Sequence, residues 1–457
     1  MLACLALVPL SVSVWFGEYE LSGRYAVVIA FLLVLGLPTL RREHVADIQN
    51  NESLVITGLA FFITPLLMSY PIMGSGLGFM DAWFEAVSAV TTTGLSTVAN
   101  LEQMPHTFLF ARAWMQWYGG LGFVVLSVAI LMNHRIALRR LLNPGEEGTV
   151  TTTRVYARRI LTIYIVMTVL GLGVLTLLIG DAFSALTFTL AAISTGGFAP
   201  ISSSLADLPW QAQYGVTLLG LSGAIPFIFY YRLTHGGWRE VFSDVEVRTL
   251  LGITLLLVLL LSASLAIHSG MGLQEALHQG SLLGISAQTT TGFSSLDLES
   301  LNGFSLGLII IAMAIGGSVG STAGGFKVLR LLILWQMIRL IIQRTAMPPH
   351  AFTEPRLDSK RIRRDDIEKA LLLIVLFIIV ILSSWLVFLA YGYDPLPALF
   401  EVTSATGTVG LSSGLTSHEM PPILKGVLGL NMLFGRVEII AMLVLFFPGT
   451  WLGKRID

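Results

Sequence analysis

Apolar residues gather in long blocks separated by short polar stretches, at about 1–16, 23–40, 53–73, 108–132, 159–180, 213–233, 249–268, 304–343, 369–392 and 421–448. A helix needs about 20 apolar residues to cross a bilayer. The pattern therefore predicts ten crossings in an all-α polytopic membrane protein. The first block is short and begins at Met1 with no basic flank. It has the length of a signal-peptide core, but no small-x-small cleavage site follows convincingly; a trimmed or misassigned start is the expectation.

A short Thr/Gly motif recurs between the blocks. It reads Ala89-Val90-Thr91-Thr92-Thr93-Gly94-Leu95, Ala192-Ile193-Ser194-Thr195-Gly196-Gly197-Phe198, Ala287-Gln288-Thr289-Thr290-Thr291-Gly292-Phe293 and Ala405-Thr406-Gly407-Thr408-Val409-Gly410-Leu411. One copy would be an ordinary turn. Four copies, with anchor glycines 103, 95 and 118 residues apart, mean four related units that each supply one backbone loop. The expected architecture is four helix–pore loop–helix repeats around a pseudo-fourfold pore, preceded by two extra transmembrane helices. The units are 1–50 (the extra pair), 51–133, 134–233, 234–343 and 344–457. The second and fourth repeats open with a cytoplasmic loop, and the second helix of the third is broken.

Composition narrows the setting. The chain is 54% hydrophobic and 12% charged, with mean hydropathy +0.78, so most of it is not a soluble globule. Net charge is −1 and no long basic block points to nucleic acid. Cys4 is the only cysteine and the eight histidines lack ligand spacing, so neither a disulfide framework nor a thiol metal site is expected. Lys and Arg are absent from 74–107, 181–212, 269–303 and 393–420, whereas 133–159 and 344–369 are rich in them. The positive-inside rule then puts both termini in the cytoplasm and all four Thr/Gly loops on the outer side.

Each loop follows a helical stretch too short to cross, such as 81–88 or 181–188. Acids open these helices (Asp81, Asp181, Glu275, Asp394), where N-capping accounts for them as well as an ion would. Irregular backbone survives at membrane depth only where it lines a cavity or is buried in protein. Glycine allows close approach there, and carbonyl oxygens of such loops can replace the water around a K⁺ ion. Thr408-Val409-Gly410 looks like the start of the potassium-channel filter signature, without its Tyr-Gly.

With Asn431-Met432-Leu433-Phe434-Gly435-Arg436-Val437-Glu438, these loops resemble the Trk/Ktr/HKT superfamily of potassium transporters over nearly the whole chain. The two early spans match the bacterial TrkH type. The resemblance implies K⁺ uptake across the inner membrane and no covalently bound cofactor. It places a filter at Thr92, Thr93, Gly94, Thr195, Gly196, Gly197, Thr290, Thr291, Gly292, Thr408, Val409 and Gly410. A serine at the first anchor is associated with sodium-permeable plant relatives; here it is Gly94. Gly196, and Gly407 in place of Thr or Ser, are departures that loosen the expected K⁺-over-Na⁺ selectivity, with Na⁺ or H⁺ as further candidate ions. A homodimer, a cytoplasmic nucleotide-binding subunit of the TrkA type and membrane lipid are the implied partners. The basic stretches also suit anionic lipid or topology alone.

Two features lie below the filter. The block 304–343 would be about 60 Å long as one helix, twice a bilayer, so it must break or project. The break reads at Gly316-Gly317-Ser318-Val319-Gly320-Ser321-Thr322-Ala323-Gly324-Gly325, followed by Lys327 and Arg330. The 316/320/324 series equally fits a helix-packing face, but the family carries a flexible gating loop here. Arg436 is the one basic residue read as mid-span, with Glu438 too near in sequence to be a good partner. An intramembrane arginine usually faces a cavity, and the family places one in the pore. The expected gate is Gly316, Gly317, Gly320, Ser321, Thr322, Gly324, Gly325 and Arg436.

The rival readings are a Na⁺-coupled or poorly selective K⁺/Na⁺ secondary transporter, and an intramembrane enzyme. The first would show two inverted halves, whereas these repeats run in one direction. The second lacks paired acids, histidine clusters or a nucleophile motif within the spans.

Overall fold

A computed structural model describes residues 2–37, 50–132, 153–236, 244–346, 355–357, 360–437 and 439–451. Arg41, Arg42, Arg135, Arg139, Arg140, Arg239, Glu438, Lys454 and Arg455, on which part of the sequence argument rests, lie outside these residues. The described chain is helical apart from a two-stranded antiparallel ribbon, Arg356–Leu357 against Lys360–Arg361.

Helices α1 (Leu2–Trp15) and α2 (Tyr19–Gly36) form the N-terminal pair. The first repeat follows as α3 (Asn50–Ile72), α4 (Phe79–Val90) and α5 (His106–Met132). The second is α6 (Thr153–Ile179), α7 (Ala182–Ile193), α8 (Trp210–Ala224) and α9 (Phe227–Gly236). The third is α10 (Val245–His268), α11 (Leu273–Gln288), α12 (Gly303–Ile315) and α13 (Val328–Thr345). The fourth is α14 (Arg364–Ala390), α15 (Pro395–Thr406), α16 (Pro422–Arg436) and α17 (Ile440–Leu445). Each repeat thus places a helix of 12 to 16 residues between a long helix and a second helical segment.

Among the described residues, five helices are long and apolar enough to cross a membrane, and α8 with α9 passes as a pair bent by 91°. Their outer faces carry exposed aliphatic residues such as Val169, Leu170, Leu177, Leu255 and Leu386. In water that would be a liability; it suits a surface whose solvent is hydrocarbon. The short helices sit inside. Ala82, Phe84, Glu85, Ala86, Val87, Ser88 and Ala89 of α4 are fully buried, on all sides rather than one stripe, as an element enclosed by protein requires.

Two expected continuous spans are interrupted. The block 213–233 breaks at Ile225-Pro226, where proline removes a backbone donor and clashes with the preceding turn; α9 then leaves at a steep angle. The block 421–448 breaks straight after Arg436, and Ile439 adopts φ 39° before α17 starts. The break within 304–343 falls where the glycine run predicts it, between Ile315 and Val328. The last helical segments of repeats 2, 3 and 4 are therefore all discontinuous.

The N-terminal pair docks on the first repeat. Trp114 Nε1 donates to Leu5 O at 2.9 Å. The Glu18 carboxylate accepts from the backbone N–H groups of His106 and Thr107 at 2.8 and 3.0 Å, capping the start of α5. α5 in turn lies so close to α4 that a Cβ at Gly119 would strike the Val90 carbonyl oxygen. Gly119→Ala should therefore lower folded stability by about 1–3 kcal/mol, measured as a fall in the unfolding temperature of detergent-solubilised protein, whereas Gly122→Ala, which meets open space, should not.

Candidate functional site: a ring of four helix C-termini

All four short helices end alike. The N–H groups of Thr92, Thr195, Thr290 and Thr408 donate three residues back, to Ala89, Ala192, Ala287 and Ala405, at 3.0, 2.9, 3.3 and 3.1 Å. The next N–H groups, of Thr93, Gly196, Thr291 and Val409, donate five back, to Ser88, Ala191, Ser286 and Ser404, at 2.9, 2.8, 2.9 and 2.9 Å. This is the Schellman cap, in which the residue after the helix turns left-handed. Glycine normally occupies that place, yet here it is threonine each time, with φ 53°, 51°, 55° and 50°. A β-branched residue in this region is strained. Four identical instances mean that the surroundings impose it.

Two residues later comes the anchor glycine, with φ 94°, 80°, 80° and 94° at Gly94, Gly197, Gly292 and Gly410. A Cβ at Gly94 would collide with Gly196 O, one at Gly197 with Thr291 O, one at Gly292 with Val409 O and one at Gly410 with Thr93 O. The contacts run from repeat 1 to 2 to 3 to 4 and back to 1, so the four loops close into one ring. All twelve sequence-predicted loop residues lie in it. Within the ring, the hydroxyls of Thr92 and Thr408 are buried with no hydrogen-bond partner, whereas Thr195 Oγ1 donates to Ser194 O at 2.7 Å and Thr290 Oγ1 accepts from Gly324 N at 2.7 Å.

Side chains behind the ring hold it. Gly94 N and Gly410 N donate to Ser88 Oγ and Ser404 Oγ at 3.0 and 3.1 Å. Gln116 from α5 reaches into the second loop, donating to Gly196 O and accepting from Phe198 N at 3.3 Å. Glu85, fully buried, accepts from Ser96 Oγ and Thr97 N at 2.8 Å each and from Arg112 Nη1 at 3.1 Å. Arg112 also donates to Ala199 O at 3.1 Å and lies over the Phe198 ring at 4.3 Å, tying repeat 1 to repeat 2. Asp81 does lie in the first turn of α4, and it also pairs with Lys425 Nζ at 2.5 Å across the repeat 1–repeat 4 seam. Asp181 does cap its helix, accepting from Ser184 N at 2.8 Å. Asp394 holds the N-cap position without a side-chain bond, and Glu275 sits within the first turn.

Beneath the ring lies the chain between α12 and α13. It is pinned at many points: Ser318 N to Ala224 O at 3.2 Å, Thr322 N to Gly223 O at 3.1 Å, Gly325 N to Gly407 O at 3.0 Å and Val328 N to Gly317 O at 3.0 Å. Thr322 Oγ1 donates to Ile193 O at 3.1 Å, and Gln288 Nε2 to Gly316 O at 2.7 Å. The expected loose loop is thus hydrogen-bonded under the ends of α7, α11 and α15. Gly316, Gly320 and Gly325 take positive φ, and a Cβ at Gly324 would meet Gly407 O, so glycine is required there by space as well as by conformation.

Arg436 Nη1 donates to Thr322 O at 2.6 Å, and its guanidinium stacks over Phe123 at 4.3 Å. Its Nε and Nη2 are buried without a partner among the described residues. It is not the only buried cation at this level. Lys327, left-handed at φ 77°, donates to Ala323 O and lies 4.9 Å from the centroid of the same Phe123 ring. Sequence reasoning noted Lys327 only as a residue following the glycine run. No spacing rule pairs it with a phenylalanine about two hundred residues away.

A cation-transport family model, TrkH, matches residues 24–450. The chain belongs to the TrkH cation transport family. It is 30% identical to an uncharacterized cation transporter of Methanocaldococcus jannaschii, over 96% of this chain and 91% of that one. It is 28% identical to the Trk system potassium uptake protein TrkH of Escherichia coli K12, over 90% and 88%. The crystal structure of the potassium transporter TrkH from Vibrio parahaemolyticus superposes with a TM-score of 0.87 at 25% identity, covering 99% of this chain and 97% of that one. This TrkH-family chain is therefore a multi-pass membrane cation transporter rather than an enzyme, with the fold expected from its repeats.

The buried pair predicts a stability contrast. Arg112→Met strands the Glu85 carboxylate and should cost about 3–5 kcal/mol. Arg24→Met, which breaks the exposed pair with Glu20, should cost less than about 1 kcal/mol. Thermal unfolding of both variants in one detergent checks the order.

Proposed function

We propose that the protein takes up K⁺ through the ring of four loops, and that this ring is its selectivity filter. The observation that carries the reading is the closed circle of glycine–carbonyl contacts built on four identical left-handed threonines. Loops locked in this way present backbone oxygens at fixed spacing, which is what replacing the hydration shell of a weakly hydrated cation demands. The C-terminal, negative ends of α4, α7, α11 and α15 all abut the ring, favouring positive charge there. The two orphaned threonine hydroxyls, costly if left dry, suit contact with the ion or its water. The relatives named for potassium uptake support K⁺ as the cargo. Units 51–133, 134–233, 234–343 and 344–457 act as the four pore repeats.

The glycine loop with Arg436, joined by Lys327, is the proposed gate. A cation leaving the filter meets fixed positive charge in a low-dielectric passage, where repulsion far exceeds that in bulk water. The hydrogen bonds holding 316–325 must exchange as a set for the passage to widen, so the loop behaves as a latch with discrete positions. The unpartnered Arg436 nitrogens call for water in that passage.

We further propose that the protein lies in the cytoplasmic membrane with both termini inside, works as a homodimer and is regulated by a nucleotide-binding subunit on its cytoplasmic face. The basic stretches 133–159 and 344–369 support that side assignment.

Three outcomes follow, each read in reconstituted vesicles under imposed gradients. Gly94→Ser, which pushes a side chain toward Gly196 O, should raise Na⁺ permeation relative to K⁺; an unchanged ratio counts against the filter. Arg436→Ala should raise K⁺ flux by roughly tenfold with selectivity retained. Wild-type flux from folded Arg436→Ala protein would make the arginine structural. Mild solubilisation should recover the dimer with a soluble nucleotide-binding partner, and recovery of neither, with flux indifferent to nucleotide, sinks that part.

A further inference from the structure

Repeats 1 and 4 carry the same acidic device behind the ring, and only one copy is neutralised. Glu85 and Glu401 each stand nine residues before their anchor glycine, and both are fully buried. Glu85 binds Ser96 Oγ and Thr97 N; Glu401 binds the matching Ser412 Oγ and Ser413 N at 2.7 and 2.9 Å. Glu401 also accepts from Thr416 N at 2.8 Å, whereas Ser413 Oγ donates to Pro397 O at 3.1 Å. In repeats 2 and 3 the equivalent positions are Phe188 and Leu283.

The difference lies in the counter-charge. Glu85 is paired with Arg112, which follows it by 27 residues; the residue 27 after Glu401 is Leu428, buried on α16. The nearby base on that helix, Lys425, is committed to Asp81 Oδ1 and to His418 O at 2.7 Å. Among the described residues no Lys or Arg pairs with Glu401.

Its pocket nevertheless supplies hydrogen-bond donors to both carboxylate oxygens. Ser413 N and Thr416 N can only donate, and they take one carboxylate oxygen each. Ser412 Oγ already accepts from Gly414 N at 3.0 Å, which leaves its proton for Glu401. Three donors stabilise a carboxylate but supply no net charge, and a buried unpaired charge is costly. The missing countercharge can come from an ion in the adjacent ring.

We propose that Glu401 is the uncompensated fixed charge of the filter: a positioning residue that raises cation occupancy of the ring from the repeat 4 side, whereas Glu85 is a neutralised structural copy. This rests on the reading of the ring as a filter. It predicts an electrostatically lopsided ring, with repeat 4 the most attractive quadrant.

The test is the K⁺ dependence of uptake into vesicles. Glu401→Gln should raise the KM for K⁺ by roughly tenfold, while Glu401→Asp, which keeps the charge, stays nearer wild type. Leu428→Arg keeps Glu401 and its three bonds but installs the partner that repeat 1 has, and should raise KM in the same direction. Leu428→Met, the packing control, should leave it unchanged. An unaltered KM in folded Glu401→Gln protein overturns the proposal. So does an Asp variant as impaired as Gln with Leu428→Arg at the wild-type value, since the carboxylate would then act only as a loop brace. Gly94→Ser in the same assay keeps the two readings apart. If it leaves K⁺/Na⁺ selectivity unchanged the filter itself fails, and if it shifts selectivity while the Glu401 variants leave KM alone, only the charge assignment fails.

Discussion

Four α-carbons that tolerate no side chain govern this structure. Each anchor glycine lies against the backbone of the next repeat's loop, so the ring closes only if all four loops reach the same level with the same handedness. That demand explains the cost accepted one step earlier, where a threonine takes the left-handed cap position that glycine normally fills. It also explains why the short helices are buried on every side. They must be held to a fraction of an ångström by Ser88, Ser404, Gln116 and the Glu85–Arg112 pair.

Charge is arranged in layers around that ring. Outside and beside it the buried groups are acids: Asp81 and Glu85 answered by Lys425 and Arg112, and Glu401 answered by hydrogen bonds alone. Below it the buried cations Lys327 and Arg436 both lie against the Phe123 ring and hold adjacent carbonyls of the loop, whose Val319 N donates to the buried acid Glu246 at 2.7 Å. On the proposed path, a cation moving inward would pass from the acid-flanked ring to these cations within the low-dielectric part of the molecule. In that proposal, attraction concentrates the ion and repulsion makes release conditional on the loop. The break in repeat 2 frees Gly223 O, Ala224 O and Phe227 N to bind the loop, and repeat 4 reaches it through the Arg436 side chain.

Much of this was legible in the sequence because it is written in local chemistry. Thr-x-Gly at four regular places is a backbone requirement, and a requirement on φ leaves a residue signature. The glycine run at 316–325 is another, and it marked its break correctly. The break at Ile225-Pro226 has a proline marker, but it sits inside an apolar block that runs on without interruption. The break after Arg436 carries no proline, and Ile439 there turns to φ 39°. The pairings of Asp81 with Lys425, and of Lys327 with Phe123, were invisible for a deeper reason. They join elements that meet only once the ring has closed, and periodicity within one helix carries no trace of a partner in another repeat.

The central claim is that the four loops bind a desolvated cation jointly. Anomalous diffraction from crystals grown with Rb⁺ or Tl⁺ in place of K⁺ tests it most directly. The account predicts anomalous density on the axis of the ring, within coordination distance of backbone oxygens from all four Thr-x-Gly loops. Density confined to one repeat, or ions seen only below the ring beside the glycine loop, would contradict it.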